Sequence, residues 1–301
     1  MIFPPLLKQG DKVAIVAPAK KLSPVELDAA VAVVKSWGLR VSIGLHVHTN
    51  DHSYLSATDE KRLSDLQSAI DDDEVRAILC VRGGYGSTRI IDQVDFTALR
   101  SSPKWLVGFS DITALLTAAH NFGVACIHGT MPVHFAKENW KPSIENLRRT
   151  LFQGMFEMSA PTNASNRSGS ANGTLIGGNL SIIADSIGTT SEIITDNCIM
   201  LVEEIDEDLY RLDRMLTHLK RTGKFDNLAG LAVGHMSDLR DTSDFKEGFE
   251  SMLKDKVRNT SYPVGWGLPF GHENPNHCFV LGQWTKIVVD SSGTILTPLK
   301  S

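Results

Sequence analysis

The chain has 301 residues, enough for one large domain or two ordinary ones, and its 42% hydrophobic and 22% charged content is that of a globular protein. A net charge of -5 argues against a nucleic-acid binder, which carries a basic balance. The proline-interrupted start Met1-Ile-Phe-Pro-Pro5 is no secretory signal, and no apolar run approaches the length of a membrane helix.

The predicted elements alternate along the first half. Lys12 to Ala17 is a short β-branched run closed by Pro18, hence a strand. Ser23-Pro-Val-Glu26 opens a helix, with serine as cap, proline in the first turn and glutamate three residues on. That helix runs to about Trp37 and ends at Gly38, and Leu39 to Ile43 is the next strand. A helix follows over Asp59 to Ile70, with Leu63, Leu66 and Ile70 on one face. Val75 to Val81 is a strand, Arg82 to Ser87 a glycine-rich loop and Thr88 to Val94 a short helix. The apolar run Trp105 to Phe109 reads as a buried strand that breaks at Ser110 into a helical pattern starting at Asp111, and Cys126 to Gly129 begins a further strand. Strands separated by helices imply a mostly parallel sheet flanked by helices, an α/β domain of the Rossmann or flavodoxin-like type. Its functional loops should lie beyond the C-terminal strand ends.

Residues Ser159 to Gly173 are polar and without apolar periodicity, which predicts an interdomain linker between domains at 1–158 and 174–301. Beyond it the texture becomes strand-rich. Leu175 to Leu180 leads into a helix-like stretch over Ile182 to Ile187, Cys198 to Val202 is a strand, and Leu209 to Leu219 is amphipathic. Leu228 to Val233, Cys278 to Leu281 and Lys286 to Val289 are further strands. The second half is thus expected to be a smaller α/β domain.

Several residues have the chemistry of a site. A serine at a sharp strand-to-helix turn, as Ser110 is predicted to be, lies beside free helix N–H groups. It serves either as an N-cap or as a nucleophile. His272, in the rigid loop Pro269-Phe-Gly-His-Glu-Asn-Pro-Asn276, is the candidate base, with His277 and His128 as rivals. Glu203 and Glu204 end a buried strand, and alternation lets only one of them share a face with a site. They read equally as an acidic helix start. Arg82-Gly83-Gly84 supplies backbone N–H groups for an oxyanion or an anion, or simply a tight turn, and has neither the Walker nor the dinucleotide spacing. The four scattered cysteines make no disulfide framework, and no regular metal-ligand spacing occurs.

Together the segments Gly10-Asp-Lys-Val-Ala-Ile-Val-Ala-Pro-Ala19, Val81-Arg-Gly-Gly-Tyr-Gly86, Val107-Gly-Phe-Ser-Asp-Ile-Thr-Ala-Leu115, His128-Gly129, Gly177-Gly-Asn-Leu180, Leu201-Val-Glu-Glu-Ile205, Tyr210-Arg-Leu-Asp-Arg-Met-Leu216 and Gly271-His-x-x-x-Asn276 resemble, in order, the serine peptidase family of LD-carboxypeptidases, which also contains the microcin C self-immunity peptidases. The resemblance implies a catalytic triad of Ser110 as nucleophile, His272 as general base and Glu203 as its orienter, with the backbone N–H groups of Gly84 and Asp111 as oxyanion hole. It implies a cleft between two domains, no cofactor and a cytoplasmic homodimer. The implied substrate is a murein tetrapeptide that loses its terminal D-alanine. Arg82 and Gly83 are candidates for holding the substrate, Arg82 for the terminal carboxylate. Many members carry Glu-Asp where this chain has Glu203-Glu204. Two other readings compete: an immunity-type hydrolase of an aminoacyl-nucleotide amide, and a non-catalytic small-ligand binder.

Overall fold

The computed structural model describes residues 1–49, 54–241, 245 and 247–299. The chain divides into two compact units, one made of Met1–Met155 with His277–Leu281, the other of Phe156–Asn276 with Gly282–Ser301.

The first unit holds β1 (Lys12–Val16), α1 (Pro24–Ser36), β2 (Arg40–Ile43), α2 (Asp59–Asp71), β3 (Val75–Cys80), α3 (Ala98–Ser101), β4 (Trp105–Gly108), α4 (Thr113–Asn121), β5 (Cys126–His128) and α5 (Lys141–Gln153), and is completed by β11 (Phe279–Leu281). The sheet order is β11-β5-β4-β3-β1-β2, with β11 antiparallel and the rest parallel. The order β2-β1-β3-β4-β5 is that of flavodoxin-like sheets, in which the strand order reverses between β1 and β3 and the loops beyond those strands form the usual ligand crevice. Strands β3 and β4 are almost wholly buried, as a sheet covered on both faces requires. Helix α1 starts with the expected capping box: the Ser23 hydroxyl accepts from the Glu26 N–H, and the Glu26 carboxylate accepts from the Ser23 N–H.

The second unit contains β6 (Met158–Pro161), β7 (Gly169–Asn179), α6 (Leu180–Asp185), β8 (Cys198–Ile205), α7 (Leu209–Arg221), β9 (Gly230–Ser237), α8 (Phe249–Lys256), β10 (Val264–Trp266), β12 (Trp284–Asp290) and β13 (Gly293–Pro298). Its seven strands run β10-β9-β8-β7-β12-β13-β6. Strands β7 to β10 pair in parallel, whereas β12, β13 and β6 form an antiparallel wing. Leu212, Leu216 and Leu219 of α7 share one buried stripe and join Ile176, Met200, Val202 and Leu231 of the sheet in one apolar core.

Three expectations are corrected. The stretch Ser159 to Gly173 is not simply a linker: it holds most of β6 and the start of β7. Ladder pairing with β13 and β12, rather than an apolar pattern, makes those polar residues strands. Cys278 to Leu281, expected in the second domain, instead supplies β11 of the first sheet through its pairing with β5. Thr88 to Val94 is not one short helix but two 3-10 turns, Ser87–Arg89 and Ile91–Gln93.

Candidate active site

In the first unit, the chain leaves β4 and turns at Ser110 into a 3-10 turn, Ser110–Ile112, that runs into α4. Ser110 has φ 61°. An N-cap serine takes an extended backbone, so this is not capping geometry. It is the left-handed conformation that a non-glycine residue holds only where its surroundings enforce it. The glycine loop lies directly against this turn. A Cβ on Gly83 would fall 2.8 Å from the Ser110 Cβ, 3.0 Å from its Oγ and 3.1 Å from the Asp111 nitrogen, so only glycine fits there. Gly84 takes φ 97°.

Asp111 joins the two segments. Its buried carboxylate accepts from the Ser87 N–H at 2.9 Å, and its carbonyl accepts from the Ser87 hydroxyl at 2.6 Å. Burial pushes its carboxyl above the usual range, against hydrogen bonds to Ser87 and Gly86 that pull it down. Arg62, which the sequence reading did not single out, is a second brace. Wholly buried, it donates to the carbonyls of Pro18 and Gly86 and pairs with Asp59, which Arg89 also grips through two nitrogens. Its i, i+3 spacing from Asp59 was the available signal. Arg82 is half-buried, and its charge is felt at Glu26 together with that of Lys137.

In the second unit, β8 carries the two glutamates. Glu203 is fully buried, and its Oε2 lies 2.6 Å from the His272 Nδ1. Burial pulls the His272 imidazole down, but the charge and hydrogen bond of Glu203, with the charge of Glu204, outweigh it and raise the group above its ordinary value. Glu204 turns away. Its carboxylate accepts from Asn179 Nδ2 at 2.8 Å, from the Ser181 N–H at 2.7 Å and from the Ser181 hydroxyl, tying it to the start of α6. Strand alternation thus divides the pair as expected. A bulge sharpens the division: from Val202 to Glu204 is two steps on β8, whereas their partners Val233 and Met236 are three apart on β9.

Gly271 brings the histidine loop over Glu203. Its φ is 121°, and a Cβ there would sit 3.0 Å from the Glu203 Cβ and 3.1 Å from its Oε2. Asn276 Oδ1 accepts from the Gly271 N–H, and His235 Nδ1 accepts from the Glu273 N–H at 3.2 Å. His235 was also not singled out; its place at the end of β9 was the clue. The rival His128 is a core group, fully buried and stacked on Phe279 with ring centroids 4.5 Å apart. His277 is half-buried at the chain's return to the first unit.

A serine on a forced turn beside glycine-loop N–H groups, and an imidazole oriented by a buried carboxylate, are the parts of a serine hydrolase. Residues 13–129 match the model of the LD-carboxypeptidase N-terminal domain, and residues 172–287 that of the LD-carboxypeptidase C-terminal domain. A probable murein peptide carboxypeptidase of Bacillus subtilis is 35% identical over 93% of this chain and 89% of its own. The crystal structure of muramoyltetrapeptide carboxypeptidase from Oxalobacter formigenes superposes with TM-score 0.87 at 28% identity, covering 96% of this chain and 99% of that one. The microcin C7 self-immunity protein MccF in complex with aspartyl sulfamoyl adenosine has TM-score 0.86 at 19% identity, over 100% of this chain and 99% of that one, a likeness of fold. The chain belongs to the LD-carboxypeptidase family. It is a serine-type carboxypeptidase, which removes the non-catalytic alternative.

Proposed function

We propose that this enzyme releases the terminal D-alanine from murein tetrapeptides by cutting the L–D amide bond, with Ser110, His272 and Glu203 as its triad. The observation that carries the reading is the 2.6 Å contact between the His272 Nδ1 and the buried Glu203 carboxylate. It supports a mechanism in which Nδ1 donates to Glu203, Nε2 carries the proton transfer and the carboxylate stabilises the imidazolium that forms during reaction. The names of the Bacillus and Oxalobacter relatives supply the substrate class.

In this reading the Ser110 hydroxyl attacks the scissile carbonyl carbon while its proton passes to His272. The carbonyl oxygen becomes an oxyanion, stabilised by the backbone N–H groups of Gly84 and Asp111. Collapse of the intermediate breaks the C–N bond, and the D-alanine amine leaves with the proton from His272. Water, deprotonated by the same imidazole, then hydrolyses the ester, returning the proton to Ser110 and freeing the tripeptide. Gly83 keeps the loop close to the serine. Ser110→Ala is expected to reduce D-alanine release by a factor on the order of 10⁶, measured by mass spectrometry of the products. Full activity in that variant contradicts the assignment.

A further inference from the structure

A carboxypeptidase must recognise a free terminal carboxylate next to the bond it cuts, which calls for a cation or further N–H donors near the oxyanion hole. Arg82 is the candidate by sequence, and Lys20 is a second cation beside the same glycine loop. The placement of Lys20 is defined by more contacts. It lies four residues beyond β1, on the side where the strand order reverses between β1 and β3. Its backbone is fixed on both sides: Lys20 bridges Leu55, Ser56 N–H donates to the Ala19 carbonyl at 3.0 Å, and the Lys20 N–H donates to the Gly83 carbonyl at 3.4 Å.

The side chain of Lys20 passes over the glycine loop. A Cβ built on Gly84 would meet the Lys20 Cβ and Cδ at 3.4 Å and the Tyr54 hydroxyl at 2.9 Å. The Lys20 ammonium sits 4.8 Å from the centre of the Tyr54 ring. Among the described residues it makes no ion pair with a carboxylate, and it is half-buried, with its charge held by an aromatic face. Gly84 is the oxyanion donor of the proposed mechanism, and in the substrate one carbon and one nitrogen separate the scissile carbonyl from the carboxylate carbon. A cation reaching over Gly84 is therefore at the right remove to meet that carboxylate.

We propose that Lys20, steered by the Tyr54 ring, binds the terminal carboxylate of the substrate and makes this enzyme a carboxypeptidase rather than an endopeptidase. The proposal rests on the murein-peptide reading above. The test is steady-state kinetics of the full chain on a murein tetrapeptide and on the same peptide ending in a carboxamide. The wild type is expected to favour the acid by about 10- to 100-fold in kcat/KM, carried mainly by KM. Lys20→Met abolishes that preference by weakening the acid alone, and Lys20→Arg restores much of it. Labelling of Ser110 by a serine-directed phosphonate, which needs no carboxylate, stays at the wild-type rate in Lys20→Met. A Lys20→Met enzyme that keeps the acid preference overturns the proposal, as does one that loses acid and amide turnover equally. A wild type without acid preference overturns it independently of any variant. A wild type that labels at Ser110 but turns over neither peptide refutes the substrate reading itself.

Discussion

At Ser110 the sequence leaves a conflict that only the backbone resolves. The residue's identity and its position after an apolar run fit a cap as well as a nucleophile, and the two readings are separated by a left-handed backbone at a turn packed against Gly83. Such a conformation costs a side-chain-bearing residue roughly 1 kcal/mol more than glycine. Ser110→Gly is therefore expected to be more stable than Ser110→Ala by about 1 kcal/mol, read by denaturant titration. Equal stabilities would show an unstrained turn. His272 gives a second test. In the proposed mechanism its raised pKa is expected to place the acidic limb of the activity profile above the ordinary histidine value, because the base must be neutral to accept the serine proton. Glu203→Gln removes the charge that raises it, so the limb moves to lower pH and kcat drops by a factor on the order of 10⁴. The stability term has the opposite sign. A histidine raised on folding contributes fully below its unfolded value and loses that contribution as pH rises through the folded one. An acidic limb that stays put in Glu203→Gln would separate His272 from catalysis.

At the scale of elements, much was legible and the rest was hidden for identifiable reasons. The capping box of α1, the buried run of β4 and the leucine stripe of α7 are local patterns, and each forms where its residues predict. The first residues of β7, Gly169-Ser-Ala-Asn172, are largely exposed, so no apolar alternation announces them. Their strand character comes from the partner β12. The bulge between β8 and β9 is likewise a property of a pair. Lys104 shows how far tertiary context departs from composition: wholly buried, it donates to the carbonyls of Ile70 at 2.6 Å and Asp72 at 2.7 Å, closing the end of α2. Burial lowers its pKa against the pull of nearby aspartates. Lys104→Met removes the ammonium from the Ile70 carbonyl, while the Asp72 carbonyl keeps the Val75 N–H at 3.0 Å, and is expected to cost about 1–3 kcal/mol, measured by urea unfolding. A loss below ~0.5 kcal/mol would mean that the carbonyls find other donors.

Across the whole molecule, the order of the motifs was readable, but the path of the chain was not. Most of the second unit, Phe156–Asn276, lies between α5 and β11 of the first, and Gly282–Ser301 completes it after β11, because His277–Leu281 return to the first unit, where Phe279–Leu281 pair with β5. A short apolar strand carries no mark of which sheet it will join. His272 stands five residues before the segment His277–Leu281 that belongs to the first unit.

In the proposed mechanism Ser110 is a nucleophile whose reactivity depends on His272 and Glu203. Intact-mass and peptide-mapping spectrometry after exposure to a serine-directed phosphonate tests it most directly. One adduct per chain is expected, mapped to Ser110, formed at least about 100-fold more slowly in His272→Ala and absent in Ser110→Ala. An adduct on a different serine, or an unchanged rate in His272→Ala, would contradict it.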